Sequence, residues 1–202
     1  MRWYPNADDQ TLLTRHPSPV ARETTTTRNL MRFTTQQQQR SAAIHEAAHT
    51  VLFLEAGVPV RSVLIRVLRS DADTSGDPLG TTDLGPYSAR LEPFLTALAG
   101  GERAEDRWMR ETGLWNPVRA WASERHALHD RDYARRLVRK YLKRDVTFGI
   151  TDQGWTDYLA LHTAADRALD RVWENVLTLA DALLERHHLT GEEAARIAGG
   201  TR

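Results

Sequence analysis

The stretch Ser41 to Gly57, SAAIHEAAHTVLFLEAG, constrains this chain more than any other. It follows Gln36 to Gln39 without a helix breaker, so the glutamines read as the polar first turns of one helix. Gly57 is placed to cap its C-terminus. Apolar Ile44, Val51, Leu52 and Leu54 surround the polar residues, which marks a packed helix. Within it, His45 and His49 stand four positions apart and project from the same face.

Two imidazoles so placed can hold one metal ion, and the HExxH spacing points to zinc. Glu46 lies about a hundred degrees around the helix, outside the ligand set. From there its carboxylate can take a proton from an attacking water and act as general base. A catalytic zinc takes three protein ligands and keeps one position open. The chain has no cysteine, which excludes disulfides and leaves His, Asp or Glu to complete the set. Glu55, six residues after His49, points away from the pair.

The third ligand must therefore come from farther along the chain. The segment ASERHALHDRDYARRLVRKYL offers His126, His129, Asp130 and Asp132. Its apolar stripe is Tyr133, Ala134, Leu137, Val138 and Tyr141. Asp130 extends that stripe by one turn and His126 by another, while Asp132 aligns with Arg136, Arg139 and Lys140 on a wet face. Asp130 is the first candidate and His126 the alternative third ligand, because a carboxylate on a core face needs a partner.

Around this helix the chain reads as mainly α with a small β-sheet. Residues 1–34, with Pro5, Pro17, Pro19 and Thr24 to Thr27, have the composition of a disordered tail, and residues 35–202 read as the domain. Residues 60–70, with Val63, Ile65 and Val67 alternating against polar positions, predict a strand, and LGTTD a second. A helix is expected from about Arg90 across Gly100-Gly101, then a loop over 111–122, an amphipathic helix over 123–143, and a long helical stretch over 155–188, broken at most once. Thr190 and Glu193 form a capping-box pattern before a short last helix closed by Gly199.

Several features point away from other functions. Lys plus Arg and Asp plus Glu each number 27, so no net charge advertises a nucleic-acid partner. The arginines between Arg131 and Lys140 read as a solvated face. Asp71 to Gly76 imitates the start of a calcium loop, but Thr82 stands where the bidentate glutamate is needed. His187 and His188 suit a helix C-terminus, and the six tryptophans read as core or interface. No signal peptide or membrane-length apolar run is evident, so the expectation is a soluble, cytoplasmic protein without a membrane partner.

Four segments, in order, resemble the peptidase domain of the FtsH-type ATP-dependent zinc metalloprotease family. IHEAAHTVLFLEAG is similar to the family's HEAGH helix, with Ala48 in place of a glycine. LTALAGGERAED resembles its LGGRAAEE segment. HDRDYARRLV is similar to the helix whose aspartate, followed by alanine at i+4, gives the third zinc ligand; the match falls on Asp130 and Ala134. VLTLADALLERHHLTGEEAARI resembles its C-terminal pattern of ALLE, a leucine and GEE. The resemblance spans about Gln36 to Gly199.

It implies a zincin-like fold and a zinc-dependent endopeptidase, with Zn2+ held by His45, His49 and Asp130 and with Glu46 as general base. It also implies that the edge strand around Pro78 to Thr82 binds substrate backbone, through Leu79, Gly80 and Thr81. No glycine in the sequence is followed by lysine, so the family's P-loop is missing. The expected substrate is then a peptide or unfolded protein, alone or delivered by a separate ATPase or adaptor. The alternative is a non-catalytic metal-binding or protein-interaction module that kept the fold.

Overall fold

The structure is a computed structural model, and it describes residues 31–68, 79–148 and 154–199. Helix α1 (Thr35–Glu55) is the axis of the core. Thr34 and Gln37 form a capping box at its start, each side chain accepting from the other's backbone N–H. At its end Gly57 adopts φ +73, which only glycine takes without strain. Val58 N–H then reaches back to Phe53 O, and Gly57 N–H to Leu54 O, closing a Schellman turn. The second half of α1 is buried on nearly every side, charged and polar residues included.

The sheet is small and antiparallel, in the order β2-β1-β3. β1 (Val60–Ile65) is its centre, β2 (Gly80–Leu84) and β3 (His188–Thr190) its edges. Val63 and Ile65 face the core, as their alternation predicts. Val67 does not: the strand ends at Ile65 and Val67 is 46 % exposed. β3 was not foreseen. His187 turns the chain at φ 62 after the long helix, and its carbonyl accepts from Ile65 N–H, so the residues after it pair with β1.

α2 (Leu91–Glu111) and α5 (Tyr158–Arg186) pack on α1 and on each other. α5 is unbroken, started by Asp157, whose side chain accepts from Leu159 N–H. Of residues 111–122, expected as a loop, only 112–116 connect two helices. Asn116 accepts from Arg119 N–H and Pro117 takes the first helical position, so α3 (Pro117–His126) starts there. The helix expected over 123–143 is interrupted at Ala127, after which α4 (Leu128–Leu142) begins. α6 (Gly191–Gly199) follows the Thr190–Glu193 capping box as predicted. Tyr141, placed in the α4 stripe, is 59 % exposed, because the stripe leaves the core after Val138.

The break at Ala127 brings Glu124 and Arg131 to the same buried place. Arg131, expected on a solvated face, is 2 % exposed. Its Nη2 and Nε donate to both oxygens of Glu102 on α2, at 2.6 and 3.1 Å, and its Nη1 donates to Glu124. This fork fixes α3 and α4 against α2. Burial works to raise the Glu102 carboxyl, but Arg131 and His162 outweigh it and hold it at about 2.

Residues 1–34 of the expected tail lie outside the described residues as far as residue 30, as do the calcium-like loop at Asp71 to Gly76 and Pro78. No helix among the described residues is long and apolar enough to cross a membrane.

A carboxyl depressed in the folded state stabilises above its unfolded pKa, and that contribution is lost as pH falls toward the folded value. For Glu102 the window runs from about 4.5 down to about 2. The melting temperature of the parent should therefore fall across this window with a component that Glu102→Gln lacks. At neutral pH Glu102→Gln should cost on the order of 3 kcal/mol, because it leaves Arg131 buried and under-paired. Equal pH slopes for the two proteins would contradict this assignment.

Candidate metal centre

His45 and His49 stand one turn apart on the buried face of α1, and α4 delivers Asp130 to them. Asp130 Oδ2 lies 3.2 Å from His45 Nε2 and 3.3 Å from His49 Nε2, and the two nitrogens are 2.9 Å apart. Together these residues form a group that could hold a metal ion. Four-coordinate zinc with bonds of about 2.0–2.1 Å spaces its ligands about 3.3 Å apart. The observed separations are close to that spacing.

The surroundings fix the orientation of each imidazole. His49 Nδ1 lies 2.9 Å from the carbonyl of Ala97 on α2. A carbonyl only accepts, so Nδ1 carries the proton and Nε2 of the neutral ring presents a lone pair to the site. His45 Nδ1 faces Glu105 Oε1 at 3.5 Å. Glu105 is itself buried and held by the hydroxyls of Ser41, at 3.1 Å, and Ser123. Two lone-pair nitrogens and a carboxylate oxygen facing one another repel unless a proton or cation sits among them.

The electrostatics favour a cation. Burial acts to lower the His45 pKa, yet hydrogen bonds to Asp130 and Glu105 raise it well above the usual imidazole range. Burial acts to raise the Asp130 carboxyl, and His49 and His45 together hold it well below the usual carboxylate range. Glu105 is likewise lowered against burial, by His45, His126 and Ser123. A field that retains a proton at His45 also attracts a metal cation.

Gly101 makes the room. A Cβ built there would stand 2.6 Å from Nε2 of both His45 and His49. Its neighbour Gly100 leaves space for Leu52, where a Cβ would meet Cδ1 at 2.3 Å. The glycine pair thus lets α2 run against the imidazole face of α1.

Glu46 lies beside the three, buried, with Oε2 accepting from the Thr82 hydroxyl at 2.7 Å. Burial raises its carboxyl above the usual range, against the pull of His45, His49 and Thr82. That direction suits a base working near neutral pH. These groups open onto a cleft of about 370 Å³. Leu79, Gly80 and Thr81 line it, and so does His126, which does not join His45, His49 and Asp130. His129 and Tyr133 also face the cleft.

The sequence reading missed Ala97, Gly101 and Glu105 as parts of the site. They are spaced by four on α2, so a single helix face supplies all three, and that spacing was available in the sequence. It also missed Thr82, two strand positions from Gly80 and therefore on the same side of β2. Ser123 carried no local signal. Compared with protein-family models and with curated proteins, the chain matches none.

Gly101→Ala tests the geometry. Alanine favours a helix by about 1 kcal/mol over glycine, so the backbone tolerates it. The added methyl must displace the imidazoles. The variant should fold and melt near the parent while its zinc affinity falls about 10- to 100-fold, measured by competition with a chromophoric chelator. Unchanged affinity would mean that the ion does not sit between these two rings.

Proposed function

We propose that this chain is a zinc-dependent endopeptidase with a zincin-like fold of the FtsH peptidase type. One observation carries the reading: His45, His49 and Asp130 converge at the floor of a cleft, with a buried carboxylate, Glu46, beside them. A binding site alone has no use for that carboxylate. Two imidazoles and one carboxylate are also the donor types that zinc takes in catalytic centres. The bound metal would polarise a peptide carbonyl and make a nearby water acidic enough to attack at neutral pH.

The chain's own residues would supply the rest. Glu46 accepts the proton from the attacking water through its free oxygen and passes it to the leaving amide nitrogen. His45 and His49 keep their lone pairs on the site because Glu105 and the Ala97 carbonyl hold their other nitrogens. β2 offers an edge: its inner side pairs with β1, and among the described residues no strand pairs with its outer side. An extended peptide laid along that edge would be held by its backbone, with little demand on its sequence. Flexible peptide segments and unfolded chains fit this mode, whether they arrive alone or from a separate ATPase or adaptor.

Glu46→Gln separates the enzyme from a metal-binding module. In the zinc-reconstituted chain, the variant should keep its zinc and lose cleavage of an unfolded protein by about 10²–10⁴-fold. Cleavage at the parental rate would remove Glu46 from the reaction. A parent that binds zinc but cuts no peptide or unfolded protein would favour the non-catalytic module instead.

A further inference from the structure

A glutamate reaching from a helix into a cleft has three rotatable bonds, and a general base is useful only where its oxygen points at the reacting water. The structure supplies two restraints on Glu46 that the HExxH pattern does not contain. Both come from β2. Along that strand Gly80, Thr82 and Leu84 turn to the partly buried side, and Thr81 and Asp83 are exposed. Thr82 is held in register opposite Val63, which is fully buried at the centre of the sheet. Its β-branched side chain has little freedom about χ1.

From that fixed position the Thr82 hydroxyl donates to Glu46 Oε2 at 2.7 Å. Thr50, one turn after Glu46 on α1 and fully buried, brings its own hydroxyl to 3.4 Å from that of Thr82. Glu46 Oε1 has no hydrogen-bond partner among the described residues. One oxygen is therefore tied and the other is presented. Gly80 supplies the space: a Cβ there would lie 2.4 Å from Glu46 Cγ and 2.8 Å from Oε1.

We infer that Thr82 is a positioning residue, whose hydroxyl holds Glu46 with one carboxylate oxygen free for the reacting water, and that Gly80 must lack a side chain for Glu46 to reach this pose. The inference rests on the peptidase reading above, but the tether itself does not. The two residues act differently from the neighbours that the edge strand presents to a substrate. Thr81 is exposed on the cleft rim, whereas Gly80 and Thr82 touch the base.

Three variants of the full chain, reconstituted with zinc, test it on an unfolded protein substrate. Thr82→Val keeps the shape and removes the hydroxyl; kcat should fall about 10- to 100-fold, with KM and bound zinc unchanged. Thr82→Ser restores a donor and should recover kcat to within about threefold of the parent. Gly80→Ala should fold and bind zinc normally yet lose kcat similarly, because the Glu46 side chain, from Cγ outward, must leave its pose to admit the new methyl. Parental kcat in Thr82→Val would overturn the inference.

A thermal-melting cycle reads the tether without any catalysis. Thr82→Val should lower the melting temperature clearly more when Glu46 is present than in a Glu46→Ala background, where only the 3.4 Å contacts to Thr50 and the position-46 carbonyl remain to be lost. Equal shifts in both backgrounds would overturn the tether. If the zinc-loaded parent cleaves nothing, the peptidase reading falls, and this cycle alone decides the Thr82–Glu46 contact.

Discussion

The close approach of two helix faces underlies everything else in this structure. On α1, Ser41, His45, His49 and Phe53 follow one another at intervals of four; on α2, Ala97, Gly101 and Glu105 do the same. Set against each other, these faces give His49 a carbonyl, His45 a carboxylate, and both rings a gap where a side chain would otherwise stand. Phe53 stacks on the His49 ring from below, with centroids 5.9 Å apart. A larger residue at position 101 cannot coexist with the two imidazoles in their present places. Gly101 is therefore a requirement of the site, and Gly100 of the packing against Leu52.

Each catalytic-type group is held by an element other than its own. α2 orients the histidines of α1, and β2 holds Glu46. Asp130 comes from α4, whose position depends on the buried fork from Arg131 to Glu102 and Glu124. Burying a guanidinium with two carboxyl groups is expensive, and well-packed apolar residues would often stabilise a core at least as well. What the fork adds is direction. Arg131 follows Asp130 directly, so clamping the guanidinium to α2 also limits where the Asp130 carboxylate can swing.

Much of this was legible in the sequence, and the limits have physical causes. The helix of His45 and His49, its start near Thr35 and its end at Gly57 followed from capping chemistry and an unbroken run. β1, β2 and the last helix followed from alternation and the Thr190–Glu193 pattern. Asp130 could be singled out because it extends an apolar stripe. Asn116-Pro117 is a helix-start signal that the loop assignment overlooked. The break at Ala127 has no glycine or proline to mark it. It is set by tertiary pairing, since Glu124 and Arg131 both turn toward Glu102. For the same reason Arg131 read as solvated: in sequence it sits among surface arginines, and its partners are remote. β3 depends on His187 adopting a left-handed turn, which its residue type does not announce.

The proposed centre requires His45, His49 and Asp130 to act together, and metal content tests this most directly. Zinc per chain would be measured by elemental analysis after mild dialysis, for the parent and for Asp130→Ala. About one zinc is expected in the parent and a clear loss in the variant. If Asp130→Ala holds zinc as firmly as the parent, the third ligand lies elsewhere, with His126 next in line. A parent that retains no zinc would rule out the metal centre and leave His45 and His49 as a pair of histidines on a packed helix.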